Sequence, residues 1–194
     1  MLPHAISLRL PDWIHARLDG DERLYENDEA RMRLAIELSR WNVREKTGGP
    51  FGAAIFEGSS GRLISVGVNL VETSRCSVAH AEMMAIMLGQ QSAAHFSLRH
   101  VFRGAELFTS SEPCAMCLGA IPWAGLTRVV CAARDSDVRG EAGFEEGQKP
   151  ENWVEGLEQR GIAVRRDLMR EAAREVLREY ADKGGLIYNP NQEE

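Results

Sequence analysis

The 194-residue sequence predicts an α/β protein, a three-layer α/β/α sandwich on a mixed five-stranded sheet. Three observations lead there. Short apolar runs of strand length recur at 51–57, 63–71, 105–109, 128–132 and 162–165. The first two are separated by the turn Gly58 to Gly61, so they read as an antiparallel hairpin. Beyond the hairpin, strands alternate with segments of helical spacing. Strand–helix–strand units imply parallel pairing with right-handed crossovers, and hence helices on both faces of one sheet.

Residues 1–27 are expected to form an irregular N-terminal extension, because Pro3, Pro11 and Gly20 interrupt any pattern. Asn27 then caps a helix whose first turn carries Asp28 and Glu29, favourable at the positive helix end. Ala30, Leu34, Leu38 and Trp41 give it one apolar face, and Gly48-Gly49-Pro50 ends the unit. After the hairpin, His80 to about Ala94 is rich in Ala, Met and Leu and reads as a helix. Pro113 starts a short helix from Cys114 to Trp123. Glu151 to Arg160 is helical, and so is Asp167 to Asp182, where Ala172, Val176 and Tyr180 share a face with Leu168, beside Met169, Ala173 and Leu177. Gly184-Gly185 stops this last helix. The organisation expected is therefore an extension (1–27), a single domain (28–183) and a C-terminal tail (184–194).

Composition narrows the function classes. Hydrophobic residues make up 44% and charged residues 27%, ordinary for a globular chain with a full core. No stretch approaches the ~20 apolar residues that span a bilayer. The first ten residues are too broken by His4 and Arg9 for a secretory signal, so a cytoplasmic protein without membrane partners is expected. The net charge is −6, with 23 basic and 29 acidic residues, and arginines are interleaved with acids, as from Arg160 to Arg178. A protein that holds a large nucleic acid usually shows a basic face, so a small-molecule substrate is favoured.

The chemistry lies in His80-Ala81-Glu82 and Pro113-Cys114-Ala115-Met116-Cys117. Cys114 and Cys117, three apart at the start of a helix, point their sulfurs the same way. The helix dipole there favours the thiolate, the form that binds metal. His80, opening its own helix, completes three ligands for Zn²⁺. A site with three protein ligands keeps one position for water, the arrangement of a catalytic zinc. Zinc lowers the pKa of bound water towards ~7 and so supplies hydroxide at neutral pH. Glu82 is then the proton shuttle, taking the water proton, delivering it to a substrate ring nitrogen and later protonating a departing amine. The rivals are a thioredoxin-like dithiol, which leaves His80 and Glu82 unexplained, and a non-catalytic zinc-stabilised scaffold, which leaves Glu82 unexplained. Cys76 and Cys131 read as small core residues, and His4, His15, His95 and His100 as surface. Trp123 and Trp153 read as packing residues.

These motifs, with Gly48-Gly49-Pro50-Phe51-Gly52-Ala53-Ala54, Asn69, Thr109 to Cys114, Cys117 to Ile121 and Ala142-Gly143-Phe144, resemble the cytidine deaminase-like superfamily, and within it the bacterial guanine deaminase and nucleoside deaminase branch, over about residues 28 to 183. The resemblance implies one zinc per subunit, a homodimer, and hydrolysis of an aminopurine, first of all guanine to xanthine. A guanosine-type nucleoside, an amino-triazine, a transfer-RNA adenosine or cytosine and cytidine are the alternatives. The acidic ending Asn189-Pro190-Asn191-Gln192-Glu193-Glu194 speaks against a transfer RNA. The resemblance also implies that the C-terminal segment covers an active site, its own or the partner subunit's.

Carried over, Asn69 hydrogen-bonds the base, although an Asn after a strand is also a common turn former. Phe51 stacks on a flat ring or fills the core. Backbone amides near Ala54 and His80 meet the substrate's polar edge. In Gly143-Phe144-Glu145-Glu146-Gly147, either the acids are merely solvated, or Phe144 packs on the base and Glu145 or, preferably, Glu146 is a second carboxylate. Purine deamination moves protons at a ring nitrogen and at the leaving amine, and two carboxylates can divide that work.

Overall fold

The computed structural model describes residues 4–20 and 23–189. Its elements are α1 (Asp12–Leu18), α2 (Asp28–Arg44), β1 (Gly52–Glu57), β2 (Leu63–Val68), α3 (Ala81–Ser92), β3 (Ala105–Ser111), α4 (Ala115–Trp123), β4 (Arg128–Ala133), α5 (Trp153–Glu158), β5 (Ala163–Arg165) and α6 (Arg170–Asp182). Short helical turns lie at Val71–Ser74 and from Asp135 to Ala142.

The sheet has the order β2-β1-β3-β4-β5. β1 is antiparallel to both neighbours, whereas β3/β4 and β4/β5 are parallel. This is the mixed five-stranded α/β sheet expected. Strand side chains alternate between faces, and the two cores follow that alternation. Ala54, Phe56, Phe108, Val130 and Ala132 pack under α2 and α6. Ala53, Ile55, Leu107, Val129 and Cys131 pack under α3, α4 and α5. The Asn27 side chain accepts from the Ala30 amide at 2.9 Å, so the cap read from the sequence starts α2.

The topology places the site. β2 and β3 both run antiparallel to β1, so their C-terminal ends flank the start of β1. The C-terminal end of β4 lies at the same edge. Open α/β sheets offer their binding crevice beyond the carboxyl ends of strands. Phe51, Asn69, the Ser111 to Cys114 turn and the loop around Glu146 all lie there.

Four sequence expectations need correction. The N-terminal extension is not wholly irregular, since it contains α1. This seven-residue helix is held by tertiary contact rather than length. Trp13 lies edge-on to Trp41 at 6.2 Å and donates to the Thr47 hydroxyl at 3.1 Å, while Arg17 pairs with Glu45 at 2.7 Å. The second strand stops at Val68, because Val71 to Ser74 turns helical. The last helix starts at Arg170, after Asp167 and Met169 take positive φ. Asp167 is held there by the Arg134 guanidinium at 2.6 and 2.7 Å. Trp123 is not a packing residue: it is 83% exposed at the end of α4. Trp153 and Cys131 are buried, and Cys76 packs half-buried against the core. Among the described residues no helix is long and apolar enough to cross a membrane.

Candidate active site

His80 is the N-cap of α3 and Cys114 the N-cap of α4, so two helix N-termini point at one place. Cys117 follows in the first turn of α4. One ligand atom from each of the three lies within 4.8 Å of the others, the one metal-holding group among the described residues. The donor set fits zinc. With Zn–S near 2.3 Å and Zn–N near 2.0–2.1 Å, the S···N edge of a tetrahedron is about 3.6 Å. His80 Nδ1 and Cys114 Sγ are 3.5 Å apart. A hydrogen bond from Cys117, with His80 next to it, holds the Cys114 thiol down to about 4, against its burial. Cys114 is thus a thiolate at neutral pH, while the hydrogen bond to Cys114 and then burial push the Cys117 thiol up.

Glu82, 5% exposed, reaches back across this cluster from the first turn of α3. Its Oε2 accepts from Cys117 Sγ at 3.5 Å, and its Oε1 accepts from the Thr109 hydroxyl at 3.2 Å. Burial, then the Cys114 charge, raises its proton affinity above that of an ordinary carboxylate. Glu146 is also buried, at 7% exposure. Burial, then the charges of Cys114 and Glu82, pushes it up to about 9, so it carries a proton at neutral pH. Two carboxylates with raised proton affinity flank one cavity.

The cavity measures about 30 Å³ and is lined by His80, Glu82, Cys114, Phe51, Asn69, Phe144, Glu146, Tyr188 and neighbours. That is room for a water or two. Tyr188 forms one wall. Asn69 Nδ2 donates to its hydroxyl at 2.6 Å, and its ring meets Phe144 at 5.3 Å. Phe144 in turn lies edge-on to Phe51 at 5.2 Å. The Asn189 side chain ties the same tail segment to the Phe144 loop, accepting from the Glu145 amide at 2.8 Å and donating to the Gly143 carbonyl at 2.9 Å. The tail of this chain therefore sits on this chain's own cavity. Residues 190–194, with the acidic ending, lie outside the described residues.

Of the residues singled out from sequence, His80, Glu82, Cys114, Cys117, Phe51, Asn69, Phe144 and Glu146 come together. Ala54 does not: it is fully buried in the middle of β1, paired on both sides, and does not line the cavity. Glu145 borders the same cavity but is exposed, and it accepts from the Gly147 amide at 2.7 Å. Sequence reading placed Thr109, Ser111 and Glu112 in a motif but gave none of them a role: Thr109 holds Glu82, and Ser111 and Glu112 line the cavity. Their signal was a run of hydroxyls and an acid between a strand end and a metal-ligand cysteine. A larger groove of about 700 Å³ runs between α4 and α5, past Leu118, Trp123 and Trp153, but none of the paired acids or metal donors faces it.

Residues 25–133 match the family described as the cytidine and deoxycytidylate deaminase zinc-binding region. The chain is 40% identical to guanine deaminase of Bacillus subtilis (strain 168) over 120 residues, which is 62% of this chain and 72% of that protein. The crystal structure of guanine deaminase from Nitrosomonas europaea superposes with a TM-score of 0.87 at 44% identity, over 94% of this chain and 99% of that one. A mutant protein crystallised with 8-azaguanine superposes with a TM-score of 0.87 at 45% identity, over 92% and 98%.

Proposed function

Because the chain belongs to the cytidine and deoxycytidylate deaminase zinc-binding family, we propose that it hydrolyses a free aminopurine, converting guanine and water to xanthine and ammonia. The observation that carries this is the pair of buried acids facing one small, aromatic-walled cavity beside His80, Cys114 and Cys117. Those three residues would hold zinc, which when bound would activate water as the nucleophile and stabilise charge on the added oxygen.

The remaining chemistry belongs to the chain's own side chains. Glu82, oriented by Thr109, takes a proton from water and passes it to the ring nitrogen beside the attacked carbon. As the carbon–nitrogen bond breaks, Glu82 carries the proton of the added hydroxyl to the leaving amine, and ammonia departs. Glu146, which enters protonated, donates a hydrogen bond on the leaving-amine side. Asn69 donates its amide to the purine edge in place of the Tyr188 hydroxyl, and Phe51 and Phe144 are the flat walls of the pocket. With only about 30 Å³ free, a purine enters when Tyr188 swings out, so the tail acts as a lid that closes over the bound base and excludes water. A pocket of this size, the net charge of −6 and the own-tail cover favour a free base over a polynucleotide. The exposed Trp123 beside the apolar groove favours a homodimer, and the two free thiols at a metal site favour a cytoplasmic setting.

Ammonia release from guanine, guanosine, adenine, cytosine and cytidine tests the reading, with zinc measured by elemental analysis. Guanine turnover with one zinc per chain is expected. Glu82→Gln should keep zinc and lose roughly 10²- to 10⁴-fold in kcat. A zinc-loaded protein inert to guanine, or a glutamine variant with full turnover, rejects it.

A further inference from the structure

A second polar cluster lies behind the site, and no step above uses it. Lys149 is a buried lysine, its side chain 6% exposed. Its ammonium donates to the Pro113 carbonyl at 3.0 Å, one residue before the metal-ligand Cys114. It stands 3.4 Å from Asp135 Oδ1 and lies over the Trp153 ring at 5.6 Å. Asp135 Oδ1 is itself buried without a hydrogen-bond partner among the described residues and faces this ammonium, while Arg139 pairs with Oδ2 of the same carboxylate at 3.2 Å. A buried lysine loses hydration and side-chain freedom, so its place needs a compensating role.

The loop that carries Glu146 touches the same turn from the other side. The Ala115 amide, the first of α4, donates to the Glu146 carbonyl at 2.9 Å. Gly147 follows with φ +71°, and a Cβ there would stand 2.9 Å from the Ala115 Cβ. Residues 146 to 149 thus hold the Pro113-Cys114-Ala115 turn through two hydrogen bonds, with Gly147 between them too close to Ala115 to carry a side chain.

We propose that Lys149 is a positioning residue for the deamination, clamping the 143–149 loop to the Cys114 turn so that the Glu146 carboxyl is held over the cavity. The inference rests on the reading of Glu146 as the second carboxylate. The Lys149 charge also opposes the upward push on the Glu146 carboxyl. Groups that orient a ligand or catalytic side chain from behind typically matter 10- to 100-fold.

The test is a double-mutant cycle on the zinc-loaded full chain, with Lys149→Met, Glu146→Gln and the pair, read as kcat and KM for guanine beside zinc content and Tm. Lys149→Met should lower kcat roughly 10- to 100-fold with KM changed far less and zinc retained. The pair should be no slower than Glu146→Gln alone, because both changes remove one function. Lys149→Arg, which can still donate to the Pro113 carbonyl, should recover part of the loss. If Lys149→Met does not fold, Gly147→Ala displaces the same junction and should show the same kcat loss and the same non-additivity. Full kcat in a folded Lys149→Met protein overturns the inference. So do losses that multiply in the pair, or a loss that tracks zinc content alone. Full turnover in Glu146→Gln instead overturns the reading of Glu146, a separately visible result.

Discussion

Replacing Glu146 with glutamine should cost turnover and add stability. The Glu146 carboxyl is 7% exposed, and burial, followed by the Cys114 and Glu82 charges, lifts it from the ordinary 4.5 to about 9. Between those values the unfolded chain has given up a proton that the folded protein keeps. The folded state then binds more protons, and its stability falls as pH rises across the window. The full displacement, at about 1.36 kcal/mol per tenfold, corresponds to about 6 kcal/mol. Bound zinc cancels the Cys114 charge, and relaxation around the carboxylate eases its ionisation. The expected gain for Glu146→Gln is therefore about 1 to 3 kcal/mol at about pH 8. In a chain of this length that raises Tm by about 2 to 4 °C per kcal/mol. Below about pH 4.5 both side chains are neutral and the two proteins should melt alike. Thermal unfolding of the zinc-loaded pair across a pH series gives the difference directly, with guanine turnover measured on the same samples. A glutamine variant that melts lower near pH 8, or a Tm difference that stays flat with pH, would refute the reasoning.

Truncation after Lys183 removes the Tyr188 hydroxyl from Asn69 and both Asn189 contacts with the Phe144 loop. Turnover should fall roughly 10- to 100-fold while Tm moves only a few degrees; parallel losses of activity and Tm would count against a lid. Gly67→Ala places a Cβ 2.0 Å from the Ala81 carbonyl and 2.6 Å from the Ala85 amide. The start of α3 must move and take His80 with it, so about 1–3 kcal/mol of stability and part of the zinc affinity should be lost. Chelator competition and thermal unfolding measure the two losses, and an unchanged variant would disprove the close packing of α3 on β2.

The local sequence determined a good deal. Asn27 before two acids marked the start of α2, and short apolar runs marked the strands. His80-Ala81-Glu82 with Cys114 and Cys117 marked the metal donors, because ligand chemistry restricts which residue types and spacings can serve. These signals are local, set by caps, periods and donor atoms within a few residues of one another. Tertiary structure decided the rest. Seven residues of α1 fold because Trp41, Thr47 and Glu45 meet them, from 28 to 34 positions away along the chain. Glu146 rather than Glu145 is buried where the loop docks on α4, its carbonyl held by the Ala115 amide. Ala54 is excluded from the cavity because β1 is paired on both edges. Tyr188 reaches Asn69 across 119 positions of sequence, and Lys149 reaches Pro113 across 36. Contacts closed over such separations depend on how strands and helices stack, and no period or spacing along the chain encodes them.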